Sequence, residues 1–367
     1  MQKTIKQNLL RFGGYTIAQN IHAQFENYGL KKRFREFIKT GNTPLPDMVM
    51  LEPTQRCNLR CKMCFQDRAA LTIQKELSFE QIVDFFDRTS YIRKVTLIGG
   101  EIFIRKDMFD LIDHLDRTRN IVISTNGTLL GNAEIDALRR CRRIVTICIS
   151  LDGPKEIHET IRGVRGSYDK TVRTIKALTP FFPATVTCVI IDENIKILPS
   201  LVDQCASLGV KKLKFELERI YPEERIDQAI LETGLESEDL PISSTGRTRG
   251  YSLETLSDTL NECQNRGEKQ GIYVTFDPPY LMEDLNACYV GNLRSKRKYT
   301  CQSFRMATIA PNGDLINCFA IRKPFGNILD VPFDEIWNSE AAKFYRRELV
   351  RNNLTPLCEN CPFLVPL

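Results

Sequence analysis

The sequence contains no run of about 18 apolar residues, the length that a helix needs to cross a bilayer. Its first residues, MQKTIKQNLLRFGG, also lack the long apolar core and the small-residue cleavage site of a signal peptide. The 13 cysteines form no dense framework, and their number is odd, which argues against a secreted, disulfide-stapled scaffold. These absences predict a cytoplasmic protein with metal-binding thiols.

The overall composition excludes little else. The chain has 367 residues, of which 42% are hydrophobic and 26% charged, so a sizeable core in about two domains is expected. The formal net charge of +5 is mild: it is compatible with an anionic ligand but does not predict a nucleic-acid partner. The functional argument therefore depends on the motifs.

Three cysteines stand close together in the run EPTQRCNLRCKMCFQ, at Cys57, Cys61 and Cys64. Thiolates with this spacing on one loop suit a metal ion or an iron–sulfur cluster. A four-iron cluster held by three thiolates leaves one iron free for another ligand, as a catalytic zinc site keeps one position open. The spacing alone also leaves open a zinc site or a purely structural cluster.

Apolar runs rich in Val and Ile alternate with amphipathic stretches of helical length. The runs cover residues 48–53, 94–100, 120–127, 143–153, 185–192, 211–218 and 272–277. This alternation predicts an α/β fold with a parallel sheet, specifically a partial (β/α)6-type TIM barrel. Functional residues of such barrels follow the C-terminal ends of the strands, and the cysteine loop follows the first predicted strand.

Three domains are predicted: an N-terminal helical extension at 1–47, the partial barrel at 48–280, and a small C-terminal α+β domain at 281–367. The polar stretch 222–252 interrupts the alternation. We interpret it either as a lid over the barrel mouth or as a solvated surface insertion.

The extension is predicted to be an amphipathic helix over Tyr15–Lys39. Its apolar positions at steps of four are Ile17, Ile21 and Phe25, then Phe34 and Ile38. Its basic cluster comprises Lys31, Lys32, Arg33, Arg35 and Lys39. The helix either packs on the barrel or makes a peripheral membrane contact.

Gly99, Gly100 and Glu101 follow the second predicted strand. Together with the three cysteines, this order resembles the radical S-adenosylmethionine (SAM) superfamily. In that family the open iron chelates SAM, whose reductive cleavage yields a 5′-deoxyadenosyl radical that abstracts a substrate hydrogen. The resemblance implies that Gly99, Gly100 and Glu101 bind the SAM amino group. The family usually continues with Pro, where this chain has Ile102.

The resemblance extends to the next strand ends, STNG and SLDG, and to residues flanking the third cysteine. It implies SAM contacts by Met63, Phe65, Ser124, Asn126, Ser150, Asp152 and Arg162. The fork of Arg162 suits bidentate pairing with the SAM carboxylate. A turn role for Asn126 and a helix-surface position for Arg162 are the alternatives.

A second cysteine group comprises Cys301, Cys318, Cys358 and Cys361. A Pro-Asn-Gly hairpin signal lies between the first two, and the segment resembles the SPASM domain and its shorter relative, twitch. Four thiolates would close one auxiliary [4Fe–4S] cluster, which favours electron transfer or structural support, with a zinc knuckle as the alternative. Whether Cys288 takes part is left open.

The resemblance implies a radical SAM enzyme with two [4Fe–4S] clusters, SAM and a low-potential electron donor such as flavodoxin or ferredoxin. Because only 56 residues precede Cys57, fewer than a winged-helix peptide-recognition domain needs, we expect a small-molecule substrate. The expected reaction is a two-electron oxidation or rearrangement of a sugar, cyclitol or lipid headgroup. A peptide-modifying maturase that crosslinks or epimerises residues is the first alternative, and a non-catalytic iron–sulfur scaffold is the second.

Three carboxylates at late strand ends are candidates for substrate chemistry: Glu216, Glu218 and Asp277. Each could serve as a general base or anchor a hydroxyl group. Salt-bridged carboxylates on the barrel rim are the alternative interpretation.

Overall fold

The structure is a computed structural model that describes residues 27–64, 75–240, 248–295, 298–316, 318, 320–359 and 361–367. The strands are β1 Met48–Leu51, β2 Lys94–Leu97, β3 Asn120–Thr125, β4 Ile144–Ser150, β5 Ala184–Ile190, β6 Lys212–Leu217, β7 Tyr273–Asp277, β8 Tyr299–Cys301, β9 Met306–Ile309, β10 Asp314–Ile316, β11 Pro324–Asn327 and β12 Leu364–Pro366. The helices are α1 at 27–40, α2 Phe79–Arg88, α3 Met108–Asp116, α4 Asn132–Arg140, α5 Lys155–Arg162, α6 Ser167–Leu178, α7 Leu198–Ser207, α8 Glu223–Thr233, α9 Leu253–Gln270, α10 Leu285–Val290, α11 Phe333–Trp337 and α12 Glu340–Arg351.

Strands β1 to β7 form a parallel sheet in sequence order, and each apolar run identified in the sequence contains one of them. The α/β partial barrel is therefore confirmed, with β7 as one strand more than six β/α units supply. Strand β6 shows why these runs form strands: Leu213, Phe215 and Leu217 are buried, while Lys214 and Glu216 lie on the opposite, inner face. Side chains alternate between faces along a strand, so one β-strand serves both the core and the site.

The C-terminal segment continues the barrel sheet. Strand β9 pairs in parallel with β1, and the backbone N–H of Glu52 donates to the carbonyl of Ile309 at 2.9 Å. Strands β9 and β10 form the predicted hairpin, with Gly313 in the left-handed region at φ 92°. The domain boundary predicted near residue 280 therefore does not interrupt the sheet, whose order is β11-β10-β9-β1-β2-β3-β4-β5-β6-β7.

Helix α1 packs on this C-terminal part through an apolar stripe. Leu30 and Phe37 are buried, and the rings of Phe34 and Phe37 lie 5.2 and 5.3 Å from that of Phe304. Ile38, predicted on the packed face, is instead 54% exposed, because the stripe advances by four and then three residues and so reaches position 37. The predicted positions Ile17, Ile21 and Phe25 lie outside the described residues. No helix within the described ranges is long and apolar enough to cross a membrane.

The polar stretch at 222–252 is held against the C-terminal segment where it is described. Helix α8 contributes Glu232, whose carboxylate pairs with Arg294 at 2.9 Å. Further along, the carbonyl of Asp239 accepts from the backbone N–H of Arg322 at 2.7 Å. The described part of this stretch is therefore a packed helical segment; residues 241–247 are outside the description.

The close approach of two loops gives a prediction. A Cβ added at Gly100 would lie 2.5 Å from the carbonyl oxygen of Gln55, with the backbone of Arg56 also too close. We expect Gly100→Ala to lower the free energy of unfolding by about 2 kcal/mol or more, because backbone must move. Gly29→Ala is the control. Gly29 lies in α1, and a Cβ added there would meet no neighbouring group within 4 Å, so the change should raise the free energy of unfolding by up to about 1 kcal/mol. Urea unfolding of both variants measures the difference, and equal stabilities would contradict the packing described.

Candidate functional site

The cysteine loop follows β1, and hydrogen bonds to the C-terminal end of α5 hold it in place. The backbone N–H groups of Arg60 and Lys62 donate to the carbonyls of Arg162 and Ile161 at 3.0 and 2.9 Å. Gly163 makes this approach possible, since its φ is 68° and an added Cβ would lie 2.5 Å from the carbonyl oxygen of Arg60. The loop presents three half-buried thiols, those of Cys57, Cys61 and Cys64.

Gly99 and Gly100 bring the end of β2 against the cysteine loop. The N–H of Gly100 donates to the carbonyl of Thr54 at 3.0 Å, and that of Glu101 donates to the carbonyl of Arg56 at 2.8 Å. The sequence suggested that these glycines let the backbone approach a ligand. In the structure the close partner is the loop itself, so the glycines position the cysteines.

The carboxylate of Glu101 is buried between the ends of β2 and β3. The residue is 0% exposed, and its carboxylate accepts from the Thr125 hydroxyl at 2.8 Å and the Asn126 N–H at 2.7 Å. The N–H of Phe103 also donates to it at 3.2 Å. Burial raises the pKa of this carboxyl, although the three hydrogen bonds act in the opposite direction. The buried carboxylate ties β2 to β3, and a part for Gly99, Gly100 and Glu101 in binding the SAM amino group stays a prediction.

Asn126 also forms a link within the protein. Its side-chain amide donates to the Asn58 side chain at 2.9 Å, and its oxygen accepts from the N–H and hydroxyl of Thr128 at 2.9 and 2.6 Å. The turn role is therefore present, together with an attachment of the cysteine loop. Ser124 and Ser150 are half-exposed at the ends of β3 and β4, on the inner face of the sheet.

The residues flanking the third cysteine are described unequally. Met63 is half-buried on the loop, and Phe65 lies outside the described residues.

Arg162 and Asp152 form a buried bidentate ion pair. The Nε and Nη2 atoms of Arg162 donate to the two carboxylate oxygens at 2.5 and 2.9 Å, and Nη1 lies 3.6 Å from the Cys61 sulfur. Neither partner is more than 8% exposed. Asp152 thus occupies the Nε–Nη2 edge of the guanidinium, and only Nη1 is directed at the cysteine loop. The contact of Arg162 with the SAM carboxylate stays a prediction, whereas the helix-surface alternative is wrong because the side chain is buried.

This pair controls the ionisation of Asp152. Burial alone would raise the pKa of the carboxyl, but the charge of Arg162 and the hydrogen bonds from His158 and Arg162 hold the pKa below its ordinary value. Asp152 therefore stays ionised, and its charge fixes the arginine beside Cys61.

The four C-terminal cysteines line one cavity: Cys301, Cys318, Cys358 and Cys361. Tyr345, only 5% exposed, lines the same cavity, and its hydroxyl has no hydrogen-bond partner among the described residues. A buried hydroxyl donor facing four sulfurs suits a group with sulfur acceptors, so the residues fit a four-thiolate iron–sulfur cluster. Cys288 is fully buried on α10 and is not among the residues that line the cavity.

Two of the three candidate carboxylates meet at one lysine. Glu216 and Asp277 are register partners on β6 and β7, and Lys214 Nζ lies 2.7 and 2.8 Å from their carboxylate oxygens. Burial alone would raise both pKa values. The pKa of Glu216 is nevertheless lowered by Lys214 and Arg219, while that of Asp277 is raised by burial, opposed by Lys214 and reinforced by Glu216.

Glu218 is separate from these two carboxylates. It is 6% exposed, and its carbonyl accepts from Arg249 at 2.9 Å. Sequence reasoning missed Lys214, although its position two residues before Glu216 on the same strand face was a usable signal.

Comparison with known proteins agrees with this architecture. Residues 51–205 match the model of the radical SAM superfamily, and residues 301–362 match SPASM, an iron–sulfur cluster-binding domain. The chain therefore carries a radical SAM domain followed by a C-terminal SPASM domain. Domains of these two kinds imply SAM and [4Fe–4S] clusters as cofactors.

Two curated relatives and one solved structure illustrate the likeness. The Bacillus subtilis antilisterial bacteriocin subtilosin biosynthesis protein AlbA is 23% identical over 87% of this chain, and the chain spans 66% of AlbA, just under two thirds. An AdoMet-dependent heme synthase of Methanosarcina barkeri is 23% identical over 88% of this chain and 90% of that enzyme. Streptococcus suis SuiB bound to precursor peptide SuiA has a TM-score of 0.63 at 15% identity, covering 90% of this chain and 74% of SuiB, which shows a shared fold.

The Asp152–Arg162 pair gives a pH-dependent stability prediction. We expect Asp152→Asn to cost about 3 kcal/mol at neutral pH, because it leaves a buried guanidinium uncompensated. The native pKa of Asp152 is depressed, so its contribution is complete above the unfolded value and is lost as pH falls through the native one.

Urea unfolding at several pH values measures this difference. Asp113→Asn is the matched control, because it breaks an exposed pair with Arg117 and should change stability by about 0.5 kcal/mol or less. A cost for Asp152→Asn that persists undiminished at acid pH would contradict the pairing.

Proposed function

We propose that this enzyme modifies a peptide, using its radical SAM chemistry on a residue held against the inner face of the barrel. The observation that carries the proposal is the similarity to AlbA over 87% of the chain, supported by the fold shared with SuiB, which was solved with its precursor peptide. These comparisons favour the peptide alternative over the sugar, cyclitol or lipid-headgroup substrate expected from the sequence. The names of the relatives, which include a heme synthase, weigh against the non-catalytic scaffold.

The chain's own residues supply binding and orientation. Cys57, Cys61 and Cys64 hold the first cluster, and the four C-terminal cysteines hold the second. When bound, the first cluster and SAM supply abstraction of a hydrogen atom from the substrate. Arg162 keeps one N–H directed at the cysteine loop, because Asp152 fixes its other edge. A flavodoxin or ferredoxin is the proposed electron donor.

Glu216 and Asp277, the two carboxylates on the inner face of the sheet, exchange protons with the substrate in this proposal. Lys214 holds Glu216 and Asp277 side by side, and their pKa values move in opposite directions. Two carboxyl groups with separated proton affinities are suited to acid and base roles. Asp277, whose pKa is raised, is the group suited to accept a proton that the substrate releases.

A tetrapyrrole is the second candidate substrate. The M. barkeri heme synthase aligns over 90% of its own length, more than AlbA does. The inner face also carries Lys212 and Lys214, which could pair with acidic substituents.

An anaerobic turnover assay separates these candidates. We expect the reconstituted enzyme with SAM and dithionite to form 5′-deoxyadenosine, and a short peptide encoded beside its gene to raise that rate about tenfold and to change mass. We expect an increase of this size because a reaction is slower when the substrate is not held in the correct orientation. Iron-coproporphyrin and UDP-glucose serve as parallel substrates.

Cys61→Ala is the control, because it loses a proposed cluster ligand and should form no 5′-deoxyadenosine. Mass change of the porphyrin with an unchanged peptide would transfer the proposal to the second candidate. Modification of the nucleotide sugar alone would restore the expectation from the sequence.

A further inference from the structure

Glu216 and Asp277 form a carboxylate pair on the inner face of the sheet. Two arginines, Arg219 and Arg162, connect this pair to the two cysteine sites. Glu216 and Asp277 sit directly opposite each other on neighbouring strands, where like charges repel. Lys214 Nζ lies between them, at 2.7 Å from one carboxylate and 2.8 Å from the other. One ammonium for two carboxylates leaves this set one positive charge short of neutrality.

Arg219 connects this set to the C-terminal cysteines. It follows β6 by two residues, and its Nη2 lies 3.7 Å from the second carboxylate oxygen of Glu216. The same residue lines the cavity formed by the four C-terminal cysteines, and its side chain is 16% exposed. Arg219 therefore borders the proposed cluster site, where its charge acts on Cys318, and its guanidinium also lies against Glu216.

The N-terminal cysteine site is connected differently. Arg162 lies 3.6 Å from the Cys61 sulfur, and its charge also lowers the pKa of Glu216. However, the fork of Arg162 is committed to Asp152 at 2.5 and 2.9 Å. Because that pair is nearly neutral as a unit, it transmits a change of charge less effectively than Arg219 does.

We propose that Arg219 couples the C-terminal cluster site to the Glu216–Lys214–Asp277 set, so that uptake of an electron at that site and uptake of a proton by Asp277 are thermodynamically linked. The inference rests on the proposed four-cysteine cluster, but not on the identity of the substrate. Arg219 acts through the carboxylates and is therefore a positioning residue.

An electron added at the C-terminal site places a new negative charge beside Arg219 and draws its guanidinium away from Glu216. Lys214 then shifts towards Glu216, and Asp277 loses compensation. Its carboxylate oxygen therefore binds a proton more tightly, as a carboxylate does when nearby negative charge increases.

The coupled step balances with one electron and one proton. The electron comes from an external one-electron reductant and stays at the C-terminal site. The proton comes from solvent and ends on Asp277, converting the carboxylate to a carboxyl group. No bond to substrate forms or breaks in this step.

The groups that face Asp277 all bear on its titration. The charged ones are Lys212, Lys214, Glu216 and Arg219. The thiol of Cys148 lies on the same inner face, and the charges of Glu216 and Asp277 act on it as well. Burial raises the pKa of Cys148, so the thiol remains neutral, and the carboxylates are the groups that exchange the proton.

Redox potentiometry tests the coupling. The full-length chain with Cys57, Cys61 and Cys64 changed to Ala is loaded with iron and sulfide, and its remaining cluster is titrated by EPR across the pH range in which it stays loaded. We expect the midpoint potential to fall as pH rises. A tenfold rise in the proton affinity of Asp277 on reduction corresponds to a total shift of about 59 mV for a one-electron couple.

Three variants in that background assign the effect. Arg219→Gln should reduce the pH-dependent shift at least threefold, Arg219→Lys should keep part of it, and Asp277→Asn should abolish it. Arg347→Gln is the matched control, because this exposed arginine of the same C-terminal segment pairs with Glu340 at 3.6 Å and does not line the cavity. Its pH dependence should equal that of the parent.

Redox-difference infrared spectroscopy gives a second readout if Arg219→Gln fails to load. Reduction should produce a protonated-carboxyl band that is missing in Asp277→Asn and present in Cys148→Ala. A pH-independent potential, or a pH dependence that survives in both Arg219→Gln and Asp277→Asn, would overturn the inference. So would its loss in Cys148→Ala alone. If the cluster is loaded in each of these variants, the proposed function is unaffected by these results. Failure of the electron–proton coupling is therefore distinguishable from failure of the proposed function.

Discussion

Arg162 holds together the parts on which the N-terminal site depends. Its backbone carbonyl accepts from the cysteine loop, its fork pairs with Asp152 at the end of β4, and its remaining nitrogen lies beside the Cys61 sulfur. The proposed cluster has three thiolate ligands from this loop and no fourth, because a fourth would close it. Contacts from outside the loop therefore have to hold the three thiols in place. Burial of the Asp152–Arg162 pair makes that support stiff, and the glycines at 99, 100 and 163 let three backbones meet there.

The C-terminal site is joined to the same framework by the sheet and by a second buried pair. Strand β9 extends the barrel sheet beside β1, and Arg322 reaches back to Glu52 at 2.8 Å, with both side chains at most 8% exposed. Glu52 precedes Cys57 by five residues, and Arg322 follows Cys318 by four. The two cysteine sites are therefore fixed relative to each other by β1 itself, and Glu216 and Asp277 lie on the inner face of the same sheet.

The strands and the hairpin at Pro311–Gly313 follow from sequence patterns, because periodicity and turn chemistry are local. The grouping of the four C-terminal cysteines was expected from the resemblance to SPASM. The orientation of Glu101 does not follow from such patterns: a carboxylate after a Gly-Gly pair can face a ligand or the protein, and only packing against Asn126 decides. The sequence also did not predict the partners of Arg162 or the position of Lys214 between two carboxylates, because both depend on how far the sheet curves. Which side chains share a strand face is predictable, but which of them touch across strands is not.

We propose that three thiolates hold an open cluster and that four hold a closed one. EPR spectra of the reduced full-length chain, recorded with and without SAM, distinguish the two kinds of cluster. We expect SAM to shift the spectrum when only Cys57, Cys61 and Cys64 remain of the seven ligands, because SAM binds the open iron. The spectrum should not change when only the four C-terminal cysteines remain. A SAM-dependent shift in the second protein, or none in the first, would contradict the account.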